Sequence, residues 1–282
     1  MKKFYFHTLL LAGLVLAACS SDDDDHQGQE EHQAFKTYYM TVDATKGADE
    51  GANYASTRAL VLDGSTLKAT WATTEHVYVK GKELSDNLYF WFEGYLQPQS
   101  AGTTTQLNGV ISLPTDFAIS IDEAIGTPHT LTLQFPRPYV LDYTGQIGTL
   151  ADIAAKYDYT KAEGVRVDIE ADKVVGVEPV TFVSQQAIVK FTFIDSDGTT
   201  LLNPTKLNVQ YGAESLSLTD IPDDTYTTNE NGVLYVAIPG FYDKKVTLRA
   251  KVGEKNYTFI KSNVTFENGK YYEVDVKMKE KE

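Results

Sequence analysis

The chain is written as short alternating segments punctuated by turn residues, and this pattern limits its fold more than any other feature. From Phe35 to Ala44, Tyr38, Met40 and Val42 alternate with Thr37, Tyr39, Thr41 and Asp43. A period of two places the two sets on opposite faces of a half-buried strand. Further strands are expected at His76–Lys80, Leu88–Glu93, Leu131–Phe135, Ala187–Ile194, Leu207–Tyr211, Leu234–Ile238, Val246–Val252, Asn256–Ile260 and Tyr271–Met278. Asp197-Gly198, Asn231-Gly232, Pro239-Gly240, Gly253-Glu254 and Asn268-Gly269 supply turn chemistry between many of them. Many short strands at this spacing predict an all-β protein of sandwiches rather than a βαβ sheet.

One stretch departs from the alternation. Leu150, Ile153, Ala154 and Tyr157 recur at helical spacing, and Thr149 with Asp152 three residues on fits a capping box. One short helix is therefore expected over Leu150–Tyr157, in the N-terminal part of the chain. Residues 162–178 are charged and irregular, and a new run of strands opens at Val180. With 282 residues there is enough chain for two hydrophobic cores, so a boundary is placed there, giving β-sandwich domains over 35–178 and 179–282.

The N-terminus reads as an address. Lys2 and Lys3 precede an apolar run from Phe4 to Leu16, too short to span a bilayer as a helix but suited to a signal-peptide core. Leu16-Ala17-Ala18-Cys19 follows, so residues 1–18 are expected to be removed. L-A-A-C resembles a bacterial lipobox, in which the cysteine is acylated and becomes the new N-terminus. Cys19 is the only cysteine in the chain, so no disulfide framework or CxxC pair exists within it. Residues 19–34, opening with four consecutive aspartates at 22–25, read as an acidic tether that an anionic membrane surface would repel.

Charge and motifs narrow the function. Acidic residues outnumber basic ones 39 to 25, a net charge of −14, which argues against nucleic acid as a partner. Of five histidines, His7 lies in the signal peptide, His26 and His32 in the tether, and only His76 and His129 in the folded part. His76 sits inside an alternating strand, as a packed or edge residue would. No G-x-S-x-G, H-E-x-x-H or P-loop occurs, and no catalytic residue, cofactor site or metal site is assigned. Asp195-Ser196-Asp197-Gly198 starts like a calcium loop, but the twelfth position is Lys206, which fits a hairpin turn instead. Leu88–Phe92 is the most aromatic segment. It suits a strand buried on both faces; alternatively Trp91, with Tyr89 or Trp71, stacks a glycan at the surface.

Several strings occur in order along the chain. Ser56-Thr57-Arg58-Ala59 leads into Leu60-Val61-Leu62-Asp63-Gly64, then Ala69-Thr70-Trp71 and His76-Val77-Tyr78-Val79. Gln186-Ala187-Ile188-Val189-Lys190-Phe191-Thr192-Phe193 follows, and Val264-Thr265-Phe266-Glu267-Asn268-Gly269-Lys270-Tyr271-Tyr272-Glu273-Val274 lies near the end. With the lipobox, these resemble the fimbrillin-like surface lipoproteins of Bacteroidales, which include type V pilins. The acidic run after Cys19 also resembles the export signal of such lipoproteins.

The resemblance implies two tandem transthyretin-like, Greek-key sandwiches and a lipid-anchored outer-membrane protein serving adhesion. In polymerising members a protease cuts after an arginine and the first strand leaves. A neighbour's strand then fills the groove, so other pilus subunits are the partners implied. Here the cut would fall at Arg58-Ala59, and the departing strand would carry Tyr38, Met40 and Val42. The donor would resemble the C-terminal strand, whose Tyr272, Val274, Val276 and Met278 share a face. Arg58 is otherwise a solvated loop arginine, and the C-terminal strand otherwise stays in its own sheet. The alternative function is a non-polymerising surface lipoprotein that binds a host or other glycan through Trp91.

Overall fold

The alternation of Tyr38, Met40 and Val42 becomes the inward face of a twelve-residue strand, β1 (Phe35–Lys46), with each of the three at most 1% exposed. The structure, a computed structural model, describes residues 35–46, 60–63, 66–82, 89–114, 129–137 and 140–281, without the side chains of 60–68, 82, 89–90, 114 and 129. Cys19, Arg58 and Ala59 lie outside the described residues.

The strands that follow are β2 (Leu60–Asp63), β3 (Thr66–Ala69), β4 (Tyr78–Lys82), β5 (Tyr89–Trp91), β6 (Glu93–Pro98), β7 (Thr104–Pro114) and β8 (His129–Phe135). Helix α1 (Leu150–Lys156) separates these from β9 (Thr160–Glu170), β10 (Lys173–Gly176) and β11 (Val180–Ser184). β2 and β3 form a separate hairpin; the others make one nine-stranded sheet in the order β5-β4-β8-β9-β10-β1-β7-β6, with β11 against β1 and β9. Its two ends meet where Val77 and Leu96 exchange backbone hydrogen bonds of 2.8 Å. The sheet thus folds over on itself around one core containing Met40, Trp71, Phe92, Leu107, Leu133, Val167 and Phe182.

The second half contains β12 (Ala187–Ile194), β13 (Lys206–Tyr211), β14 (Glu214–Leu218), helix α2 (Asp224–Asn229), β15 (Val233–Ile238), β16 (Phe241–Val252), β17 (Lys255–Phe266), β18 (Tyr271–Lys277) and β19 (Lys279–Glu280). A three-stranded sheet β15-β12-β18 faces a five-stranded sheet β14-β13-β16-β17-β19. Between them Phe191, Phe193, Leu234 and Val276 pack with Val209, Leu218 and Leu248. The all-β expectation holds.

Three local readings change. Residues 162–178 are not irregular: Val165 and Val167 turn inward while Arg166 and Asp168 face out, and β9 pairs with β10. Gly164, at φ +65°, and the intervening charges hid that alternation. The strand opening at Val180 pairs with β1 and β9, within the first sheet. Helix α2 was not expected, because six residues without apolar periodicity carry no helical signal.

Helix α1 forms where expected, with Thr149 Oγ1 accepting from Asp152 N at 3.1 Å. Asp152 does not return a bond to the cap; its Oδ2 accepts from Ile147 N, and its Oδ1 pairs with Lys156. The helix brings Ile153 and Tyr157 against Ile188 and Ala237 on the outer face of the three-stranded sheet. The preceding loop closes the edge of β15. Gln146 donates to and accepts from Ala237 at 2.8 and 2.7 Å, while Tyr235 N donates to Gly148 O. A Cβ on Gly148, which has φ +86°, would meet Leu234 at 2.6 Å, so only glycine lets the loop lie this close.

Candidate functional site

β1 is held on both sides. Eleven register pairs join it to β7 in antiparallel fashion, while Tyr39–Thr41 run parallel to β10 and Ala44–Lys46 run parallel to β11. Lifting it out would expose two rows of backbone donors and acceptors and the pockets of Tyr38, Met40 and Val42. Burial of those three side chains contributes about 5–9 kcal/mol. The proposed cleavage pair lies beyond the described residues, as does the acylation residue.

The C-terminal strand residues divide. Val276 and Met278 are wholly buried, while Tyr272 and Val274 are half-buried against the same core. β18 runs parallel to β12 from Tyr271 to Lys277 at the edge of the three-stranded sheet. The chain then crosses to the opposite sheet, where Lys279 and Glu280 pair with Thr258 and Tyr257. In this conformation the strand is seated in its own fold and laces the two sheets together.

A feature that the sequence reading passed over lies at the end of β1. The inward register of Tyr38, Met40, Val42 and Ala44 continues to Lys46, whose side chain is wholly buried. Its Nζ donates to Glu75 Oε1 at 2.8 Å, stands 2.9 Å from Asp158 Oδ2, and reaches Thr70 O at 3.4 Å. The side chains of Glu75 and Asp158 are only 4% and 2% exposed. The rings of Trp71 and Phe135 lie 4.8 and 4.6 Å from the same nitrogen. Glu75 is fixed by a tight turn: its N–H donates to Ala72 O, and its Oε2 accepts from Ala72 N at 3.1 Å. Burial pushes its carboxyl above the usual carboxylate range; Lys46 and the Ala72 N–H oppose this, and Asp158 adds to it. A charged residue falling on the apolar beat of an alternating strand is the signal that would have revealed the cluster.

The two tryptophans differ. Trp71 is buried edge-on to Phe182, with ring centroids 4.9 Å apart, so it is not a surface platform. Phe92 is buried and Trp91 half-buried, with Lys80 and Arg137 5.6 and 5.3 Å from the Trp91 ring. The side chain of Tyr89 lies outside the described ones. His76 stacks on Tyr95, with ring centroids 3.7 Å apart. No group of three or more metal-ligating side chains occurs among the described residues. At the Asp195–Gly198 turn, Asp197 Oδ1 accepts from the N–H groups of Thr199 and Thr200. These bonds, with the Thr200 hydroxyl, hold its carboxyl down at about 2.

No family model and no curated protein matches the chain. Among solved structures, it is similar to a Bacteroides ovatus protein described as a cell adhesion protein. Identity there is 13%, over 88% of this chain and 97% of the other, with a TM-score of 0.46. It is also similar to a fimbrial assembly protein from Parabacteroides distasonis (13% identity, 86% and 92% covered, TM-score 0.39). A shaft pilin from Lactobacillus rhamnosus shows 7% identity, with 88% and 99% covered and a TM-score of 0.31.

Proposed function

We propose that the protein is a fimbrillin-like surface lipoprotein, anchored through acylated Cys19. In this reading it is a structural or accessory subunit of an adhesive fibre joined by β-strand addition. The 35–184 and 187–281 parts serve as its two sandwich domains. The observation that carries the reading is β1. It is the first strand among the described residues, it sits between partners on both sides, and the segment that follows it contains Arg58-Ala59. A groove left by such a strand combines unpaired backbone groups with apolar pockets, and it fits an extended segment of a second chain. Main-chain bonds would supply affinity and the pockets of Tyr38, Met40 and Val42 would supply register. β18 has matching alternation at Tyr272, Val274 and Val276, continued by Met278 just beyond it, and its edge position gives a neighbour access.

The test is made on cells. Wild-type protein is expected to ladder on unboiled gels, and Arg58→Ala is expected to abolish both the cut and the ladder. Wild-type protein that keeps residues 19–58 and never ladders would remove the polymerising role.

A second reading is favoured by Trp91, which stands half-buried with Lys80 and Arg137 5.6 and 5.3 Å from its ring, an aromatic surface with polar donors beside it. Under that reading the protein is a non-polymerising glycan receptor. Loss of glycan-array binding in Trp91→Ala, with the fold intact, would support it.

A further inference from the structure

We propose that Lys46 and Asp158 become joined by an isopeptide bond that the folded chain forms on itself, with Glu75 carrying the protons. Three facts converge on this. The amine nitrogen of Lys46 already stands 2.9 Å from a carboxyl oxygen of Asp158, and all three side chains are shut off from water. Fixed proximity of this kind replaces an encounter by a single intramolecular step. Exclusion of water favours a condensation and protects its product. A third group, Glu75, contacts the same nitrogen at 2.8 Å and is locked by its turn.

The charges point the same way. Lys46 meets a carboxylate oxygen at 2.8 Å and another at 2.9 Å in a site shut off from water. Condensation removes the Lys46–Asp158 ion pair and leaves a neutral amide beside the rings of Trp71 and Phe135.

The step balances. Lys46 passes one ammonium proton through Glu75 to the Asp158 carboxylate, giving a free amine beside a carboxylic acid. Nζ attacks Cγ of Asp158, and an N–C bond forms. A second nitrogen proton travels through Glu75 to the hydroxyl, the C–O bond breaks, and water leaves. Nothing is oxidised or reduced, and Glu75 ends as it began. The new bond is to Cγ, the atom that carries the Oδ2 standing 2.9 Å from Nζ, and as an amide it is ~1.33 Å long.

The consequence falls on β1. Lys46 is its last residue, and Asp158 lies just before β9. Joined there, β1 stays attached to the sheet even when the chain is cut at Arg58-Ala59. On the assembly reading above, cross-linked molecules keep their own groove filled and join a fibre only by donating a strand, while the ladder is built through molecules that have not formed the bond.

Peptide mapping of the full-length protein tests the bond. Trypsin cuts after lysine and arginine but not after an acylated lysine. Denatured wild-type protein is expected to yield residues 37–58 joined to residues 157–161, one water lighter than the two peptides together. Fragmentation should place the join at Lys46 and Asp158. Linear peptides 37–46 and 157–161 from wild-type protein, with no branched species, would overturn the proposal whatever any variant does. Glu75→Gln is expected to abolish the branched peptide, with Asp158→Ala as the unlinked reference. Undiminished branching in Glu75→Gln would overturn the role of Glu75. Laddering and acylation are read on cells and do not enter this digest, so either reading can fail without the other.

Discussion

Around β1 the core holds Lys46, Glu75 and Asp158 among its aromatic rings, whereas between residues 187 and 281 no charged side chain is buried among the described residues. The two cores therefore respond differently to change. An apolar core loses stability in proportion to the surface and volume removed. A charged core depends on its members being present together, because each is tolerable only through its partners. The second half is a graded support, while the first carries a device that either works or fails.

The largest expected effects separate these behaviours. Phe193→Ala should cost about 3–5 kcal/mol by leaving a cavity between the facing sheets. Urea unfolding measures it, and no polar second change should restore the loss. Lys46→Met should cost a similar amount, about 3–5 kcal/mol, because it removes the cation that pairs with both buried carboxylates. Replacing those carboxylates too, as Glu75→Gln with Asp158→Asn, should recover much of that loss. A neutral Lys46→Met would erase the contrast between the cores.

A smaller effect is expected where the halves meet. Gln146→Ala should cost about 1–3 kcal/mol, since it leaves the N–H and C=O of Ala237 unpaired in a buried position. Faster amide exchange at Ala237 would report it. Thr149→Ala should cost about 1 kcal/mol through loss of the α1 cap. The smallest effect is a local pH response at Asp197. Its carboxyl is depressed in the folded state, so its contribution is complete above the ordinary aspartate range. That contribution fades as pH falls toward about 2. The protection factors of the Thr199 and Thr200 amides, taken relative to intrinsic exchange at each pH, should fall over that range while the core stays protected.

Much of the fold was legible because alternation is a local signal. β1 and β12 could be read residue by residue, and so could the Thr149 cap. β9 was lost because Gly164 and a run of outward charges broke the beat, although Val165 and Val167 kept it. The closure of the first sheet through Val77 and Leu96 has no local signature, since it depends on two segments meeting across the core. The charged cluster was half legible. Lys46 falls on the inward beat of β1, but Glu75 and Asp158 come from distant loops and only the fold brings them to it.

The surface-lipoprotein reading is tested most directly by mapping the termini of the protein recovered from the cell surface. The expected result is an acylated Cys19 as the terminus of the anchored segment, together with Ala59 as the terminus of the chain cut after Arg58. A surface chain with unmodified Cys19, or one retaining residues 1–18, would contradict it.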